Sequence, residues 1–139
     1  MGTEYSRRVG PSTVRHLIDS NIWIYAAAGQ ENVVSFLDEA VASEWLGYSA
    51  ISRLEVFGYP DLKDEDEDKL RKLLSFCAEV PINSEVIDRA IAVRKQKTVK
   101  TPDAIVAATA LMVDATLVTR NTDDFRSIDG LTILNPFDS

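Results

Sequence analysis

Five short strand-like runs, alternating with longer stretches of helical periodicity, constrain this chain more than any other feature. The runs are VRHLID at 14–19, WLGYSA at 45–50, EVPI at 79–82, TLVT at 116–119 and LTIL at 131–134. The first gap holds SNIWIYAAAG, which stops at Gly29, and ENVVSFLDEAVAS. The second holds ISRLEVFGYP, closed by Gly58 and Pro60, and DLKDEDEDKLRKLLSFCA, whose acidic start and basic end match a helix macrodipole. Next come EVIDRAIAVRKQK, capped by Asn83 or Ser84, and DAIVAATALMVDA, with Thr101 as N-cap and Pro102 at the first helical position. RNTDDF reads as a loop or a short helical turn. Strands that alternate with helices in this way predict an α/β domain with a mainly parallel sheet covered on both faces.

At 139 residues, 45% hydrophobic and 27% charged, the chain fits a single domain over 14–139 behind a flexible leader at 1–13. The leader carries paired arginines but no apolar run, so neither a secretory signal nor a membrane span is read there. The one cysteine, Cys77, excludes internal disulfides and a multi-cysteine zinc site. It reads as a core residue near a helix end and suits a reducing cytoplasm. With 22 Asp and Glu against 15 Lys and Arg, the chain does not grip nucleic acid by uniform attraction. Either it has no polyanionic partner, or it recruits one through cations and a local basic strip.

In open parallel sheets, ligands collect beyond the carboxyl ends of the strands. Asp19 closes the first run, and Asn121, Asp123 and Asp124 follow TLVT. Asp103 stands in the first turn of an otherwise apolar helix, and Glu55 in the helix after the second run. Both reach the same edge if those helices begin there. Each acid also has a plainer reading: Asp103 as a first-turn complement to the helix dipole, Asp19 as a turn residue, Glu55 as a surface acid paired with Arg53 or another base. Gathered into one crevice, carboxylates repel by about 1 kcal/mol per pair in water and ~4 kcal/mol at a lower effective dielectric. A hard divalent cation offsets that repulsion. Mg²⁺ or Mn²⁺ takes oxygen ligands, keeps several waters and is held by one or two carboxylates together with phosphate oxygens. The chemistry predicted is metal-assisted hydrolysis of a phosphodiester.

RKQKTVK places Arg94, Lys95, Lys97 and Lys100 just before Asp103, and Arg120 and Arg126 extend the strip. It is either a solvated helix end or a track for a nucleic-acid backbone, held by phosphate contacts without base specificity. His16 lies inside the first run and is the only histidine, which reads as structural and leaves a two-histidine ribonuclease mechanism without its second member.

Four segments in sequence, LIDSNIWIYAAAG, SAISRLEVFGYP, KTPDAIVAATAL and TLVTRNTDDF with GLTILNP, resemble PIN-domain ribonucleases, specifically the VapC toxins of bacterial VapBC toxin–antitoxin pairs. The likeness covers nearly all of 14–137. It implies a three-layer α/β/α fold with a central parallel sheet and Mg²⁺- or Mn²⁺-dependent endoribonuclease activity on RNA. By position, the resemblance makes Asp19 and Asp103 direct metal ligands and gives Glu55 a part in shaping the metal site and activating water. Similar proteins carry an acid or an asparagine where this chain has Asn121, and often another acid before the Phe, here Asp124. The full acidic count then rests on Asp124, with Asp123 as the alternative, and occupancy by one metal or two stays open. The resemblance further implies a homodimer and a cognate antitoxin that inserts near the active site. Apolar residues of SNIWIYAAAG and LEVFGYP supply a candidate groove, while Trp23, Tyr25, Phe57 and Tyr59 read as core or as part of it.

Three other readings compete. An RNA-processing PIN nuclease would lack the antitoxin, and a non-catalytic PIN-like module would bind RNA or protein only, a role that Asp19, Glu55 and Asp103 together disfavour. A phosphatase-like enzyme would use Asp19 as nucleophile, but such enzymes place a second acid two residues on, where this chain has Asn21.

Overall fold

The structure, a computed structural model, describes residues 14–43 and 45–138. The expected leader at 1–13 lies outside the described residues. Five strands, β1 (Arg15–Ile18), β2 (Trp45–Ser49), β3 (Ala78–Val80), β4 (Thr116–Val118) and β5 (Ile133–Leu134), form one sheet in the order β3-β2-β1-β4-β5. Every neighbouring pair is parallel. The helices are α1 (Ser20–Ala27), α2 (Glu31–Ser43), α3 (Ala50–Phe57), α4 (Asp64–Leu74), α5 (Ser84–Gln96), α6 (Thr101–Val113) and the single turn α7 (Thr122–Phe125).

Strand periodicity explains the layers. In β1, Leu17 joins one apolar cluster with α5 and α6, and its neighbour Ile18 joins a second cluster with α1, α2 and α4. Leu117 and Val118 of β4 divide in the same way. Successive side chains on a strand face opposite ways, so two fully buried neighbours require helices on both sides of the sheet. The fold is therefore the three-layer α/β/α arrangement. All four residues of β1 are buried, the polar ones included. Arg15 Nη1 donates to the Val113 carbonyl at 3.2 Å, and His16 sits edge-on to Phe36 with ring centroids 5.2 Å apart, the structural position expected of it.

Helix ends follow local chemistry. Asn83 caps α5, its side chain accepting from the Val86 amide at 3.0 Å, and Gly29 takes a φ of +80° just after α1. Two expectations need correction. The third strand runs Ala78–Val80 and ends before Pro81, which has no N–H for the ladder. Thr101 is not the cap of α6: the Lys100 carbonyl accepts the first helical bond, from Ala104 at 2.9 Å, and no side chain caps this end. Cys77 follows α4, partly buried against the second cluster, and burial pushes its thiol up to about 11. Among the described residues, no helix is long and apolar enough to cross a membrane.

Candidate active site

The strand order reverses between β1 and β4: the chain runs from β1 to β2 and β3 on one side, then returns to β4 and β5 on the other. The two crossovers leaving β1 and β4 diverge, opening a crevice at the carboxyl ends of those strands. Asp19 is the residue after β1 and the N-cap of α1. Its backbone N–H donates to the Val118 carbonyl at 2.9 Å, tying it to the end of β4.

The Asp19 carboxylate is almost enclosed, at 6% exposure. Oδ1 accepts from the Ser20 amide at 2.8 Å; Oδ2 accepts from Thr119 Oγ1 at 2.8 Å and from Asn21 Nδ2 at 3.3 Å. Burial pushes its pKa up to about 6; the bonds from Thr119 and Ser20 oppose that shift, and the charges of Asp103 and Glu55 add to it. Asp103, half-buried in the first turn of α6, is also raised, by burial first and then by Asp124 and Glu55, while Lys100 draws it down. Asp19 thus feels the charge of Asp103 and Glu55, and Asp103 that of Asp124 and Glu55, four acids from four separate segments. The edge predicted for them is the edge on which they meet.

Glu55 is exposed, because Ser52 and Val56 take the core face of α3. Its partner is not Arg53, which pairs with Glu79 at 2.6 Å. Instead, Ser20 Oγ donates to Glu55 Oε1 at 2.5 Å and lies 3.0 Å from Ser52 Oγ, joining the starts of α1 and α3. Asp124 and Asn121 are exposed at the rim, and the Asn121 amide donates to Thr119 Oγ1 at 3.0 Å. Asp123, its side chain exposed, pairs with Arg126 at 2.8 Å.

Ser20, Ser52 and Thr119 had no place in the sequence reading, and Asn21 entered it only as the position where a phosphatase-like enzyme would carry an acid, although DSN and the hydroxyl closing TLVT were its available signals. The site suits a hard divalent cation. Its donors are carboxylate oxygens, and Asp19 and Asp103 both resist ionising without a compensating charge. Among the described residues, no three acidic, histidine or cysteine side chains converge tightly enough to enclose an ion by themselves. One or two carboxylates with water is the coordination Mg²⁺ accepts. Asn21, where a phosphatase would need an acid, spends its amide on Asp19 and Thr119.

Of the basic strip, Arg94 and Lys95 are exposed and Lys97 is half-buried, and Arg94 Nε donates to the Val99 carbonyl at 3.1 Å. They line an open groove of about 580 Å³ at the α5–α6 corner. Lys100 ends the strip beside Asp103.

The sequence matches the PIN domain family over residues 16–131. A chain of a toxin–antitoxin complex from Klebsiella pneumoniae is 31% identical, with a TM-score of 0.74, over 89% of this chain and 99% of that one. A chain of VapBC2 from Rickettsia felis, solved with a promoter DNA fragment, shares the fold at 22% identity and a TM-score of 0.77, over 88% and 98% of the two chains. A chain of FitAcB from Neisseria gonorrhoeae aligns at 24% identity and a TM-score of 0.71, over 89% and 99%. No curated protein matches at a significant level. A parallel sheet that reverses at β1 and β4, acids gathered at that reversal and a family match across both mark this chain as a member of the PIN domain family.

Proposed function

We propose that this protein is a divalent-metal-dependent endoribonuclease, the toxin of a toxin–antitoxin pair. One observation supports the reading above others: Asp19 and Asp103, 84 residues apart in the chain, both cost more to ionise at one rim, through burial first and then, for Asp19, through Asp103 and Glu55, and for Asp103, through Asp124 and Glu55. A bound Mg²⁺ or Mn²⁺ would supply charge to offset these acids, polarise a phosphoryl oxygen and activate water. Asp19 and Asp103 hold it. Thr119 and the Ser20 amide orient the Asp19 carboxylate, and Ser20 Oγ fixes Glu55, whose exposed carboxylate takes the proton of the attacking water. Asp124 completes the acidic rim, and Asn121 stands beside it. Arg94, Lys95, Lys97 and Lys100 carry the RNA backbone toward Asp103.

The relatives named as toxin–antitoxin complexes support an antitoxin partner here. Its place is the apolar groove of about 410 Å³ between α1, α2 and α4, where Val34 and Leu37 face Leu73 and Phe76. Trp23 is fully buried and belongs to the core; Tyr25 and Phe57 are partly buried, and Tyr59 is 43% exposed. The exposed Ile87 and Ile91 on α5 offer a face for a homodimer. Cleavage of a panel of structured RNAs, with Mg²⁺ or Mn²⁺ and with chelator, tests the activity. Metal-dependent cuts lost in both Asp19→Asn and Asp103→Asn are expected; cutting retained by both variants overturns the assignment.

A further inference from the structure

The TLVTRN segment places a cation next in sequence to the threonine that holds Asp19 and, among the described residues, pairs it with no carboxylate. Arg120 follows Thr119, whose hydroxyl donates to Asp19, and the Arg120 amide donates to Asn21 Oδ1 at 3.3 Å. Its guanidinium carbon lies 4.1 Å from the ring centroid of Phe137 and 5.2 Å from that of Tyr25. The two rings meet nearly edge to face at 5.0 Å. Phe137 is turned onto the arginine by a local bond, its amide donating to Asn135 Oδ1 at 3.0 Å. Arg53, Arg71, Arg89 and Arg126 each face a carboxylate. Among the described residues, the Arg120 side chain meets only these rings.

Two rings, from α1 and from the segment after β5, lie against the guanidinium, and among the described residues no carboxylate takes its N–H groups. A guanidinium fork matches paired phosphate oxygens, and a stacked one gives up less rotamer freedom when the anion arrives. The neighbours select the anion. A pocket of acids admits a phosphodiester only where cations lie along its path, and Arg120, whose backbone is tied through Asn21 to Asp19, is the arginine that follows β4 at the crevice.

We propose that Arg120 is a substrate-binding residue that grips an RNA backbone phosphate beside the scissile bond, with Tyr25 and Phe137 as positioning residues that hold its plane. This rests on the nuclease reading and adds the group that registers the strand in the site. The contact is made equally in the bound and transition states, so its loss raises KM and spares kcat.

The test uses steady-state cleavage of an RNA oligonucleotide that the wild type cuts, measured over a range of salt. Arg120→Ala is expected to raise KM about five- to ten-fold with kcat within about two-fold, and to flatten the slope of log kcat/KM against log salt by about 0.7, one phosphate on a single strand. Phe137→Leu keeps the apolar bulk and removes the ring; it should raise KM about three-fold, again without loss of kcat. Arg120→Lys keeps the charge and should fall between wild type and Arg120→Ala in KM. An unchanged KM and salt slope in Arg120→Ala, or a fall confined to kcat, overturns the role of Arg120. A wild-type KM in Phe137→Leu overturns the clamp. If the wild type cuts no RNA, the nuclease reading fails and takes this one with it; if it cuts and the variants match it, only the role of Arg120 fails.

Discussion

At Asp19, two demands on one side chain conflict. As N-cap and hydrogen-bond acceptor it favours its charged form, while burial and neighbouring carboxylates favour the neutral one, and burial wins: the pKa rises from 3.8 to about 6. A proton held more tightly when folded stabilises the native state at low pH. That contribution fades as pH rises through about 6, above which ionised Asp19 weighs against folding. The metal-free protein should therefore lose stability from this group between about pH 4 and pH 7. Asp19→Asn should raise the unfolding free energy of the metal-free protein by on the order of 2 kcal/mol at pH 7.5 and hardly at all at pH 4, while abolishing cleavage. Chemical denaturation in chelator at the two pH values checks this; an equal effect at both would show that charge is not the cause. Thr119→Val removes the hydroxyl bond to Oδ2 and should weaken Mn²⁺ binding about ten-fold by titration, with the fold intact. The acids themselves were legible in the sequence, because a carboxylate after a strand or in a first helical turn is conspicuous. Their supports were not. A serine or threonine at a strand end looks the same whether its hydroxyl meets water or an acid a hundred residues away.

Elements were legible wherever burial sets a period. α2 spans the stretch read as helical because Val33, Leu37 and Ala40 recur on its buried face. Short elements were less so: β3 has three residues, and Pro81 rather than any apolar pattern fixes its end. The direction in which Glu55 points depends on which face of α3 packs, and an eight-residue helix gives too few turns to decide that from its letters. Close approaches are invisible in sequence altogether. Gly47 lies in β2 under the ring of Trp45, two residues back on the same face, and a Cβ there would come 2.8 Å from Trp45 Cζ2 and 3.0 Å from the Ala78 carbonyl oxygen. Gly47→Ala should thus displace the tryptophan that packs beneath Arg15 and cost about 1–3 kcal/mol in denaturation. Since β2 feeds α3, cleavage should fall with it as Glu55 shifts. A variant as stable as wild type would mean that the indole swings aside freely.

On the scale of the whole molecule, the sheet brings together groups that the chain keeps far apart, and the cost is electrostatic. The chain carries a formal net charge of −7, with two of its acids held partly or wholly out of water at one rim. A fold that concentrates like charge is one that a specific counter-ion stabilises, because the ion binds the folded rim and finds no such rim in the unfolded chain. Mg²⁺ or Mn²⁺ at about a hundred times its dissociation constant should stabilise the protein by about 2.7 kcal/mol, which for a domain of this size raises Tm by roughly 10 °C. General screening of the acidic surface also stabilises, so the comparison is with NaCl at matched ionic strength, which should give only a small part of the shift. Asp103→Asn should respond alike to both salts, for it removes one arm of the site and leaves the surface charge almost unchanged. Equal responses to Mn²⁺ and Na⁺ in the wild type would mean that the acids meet without forming a site.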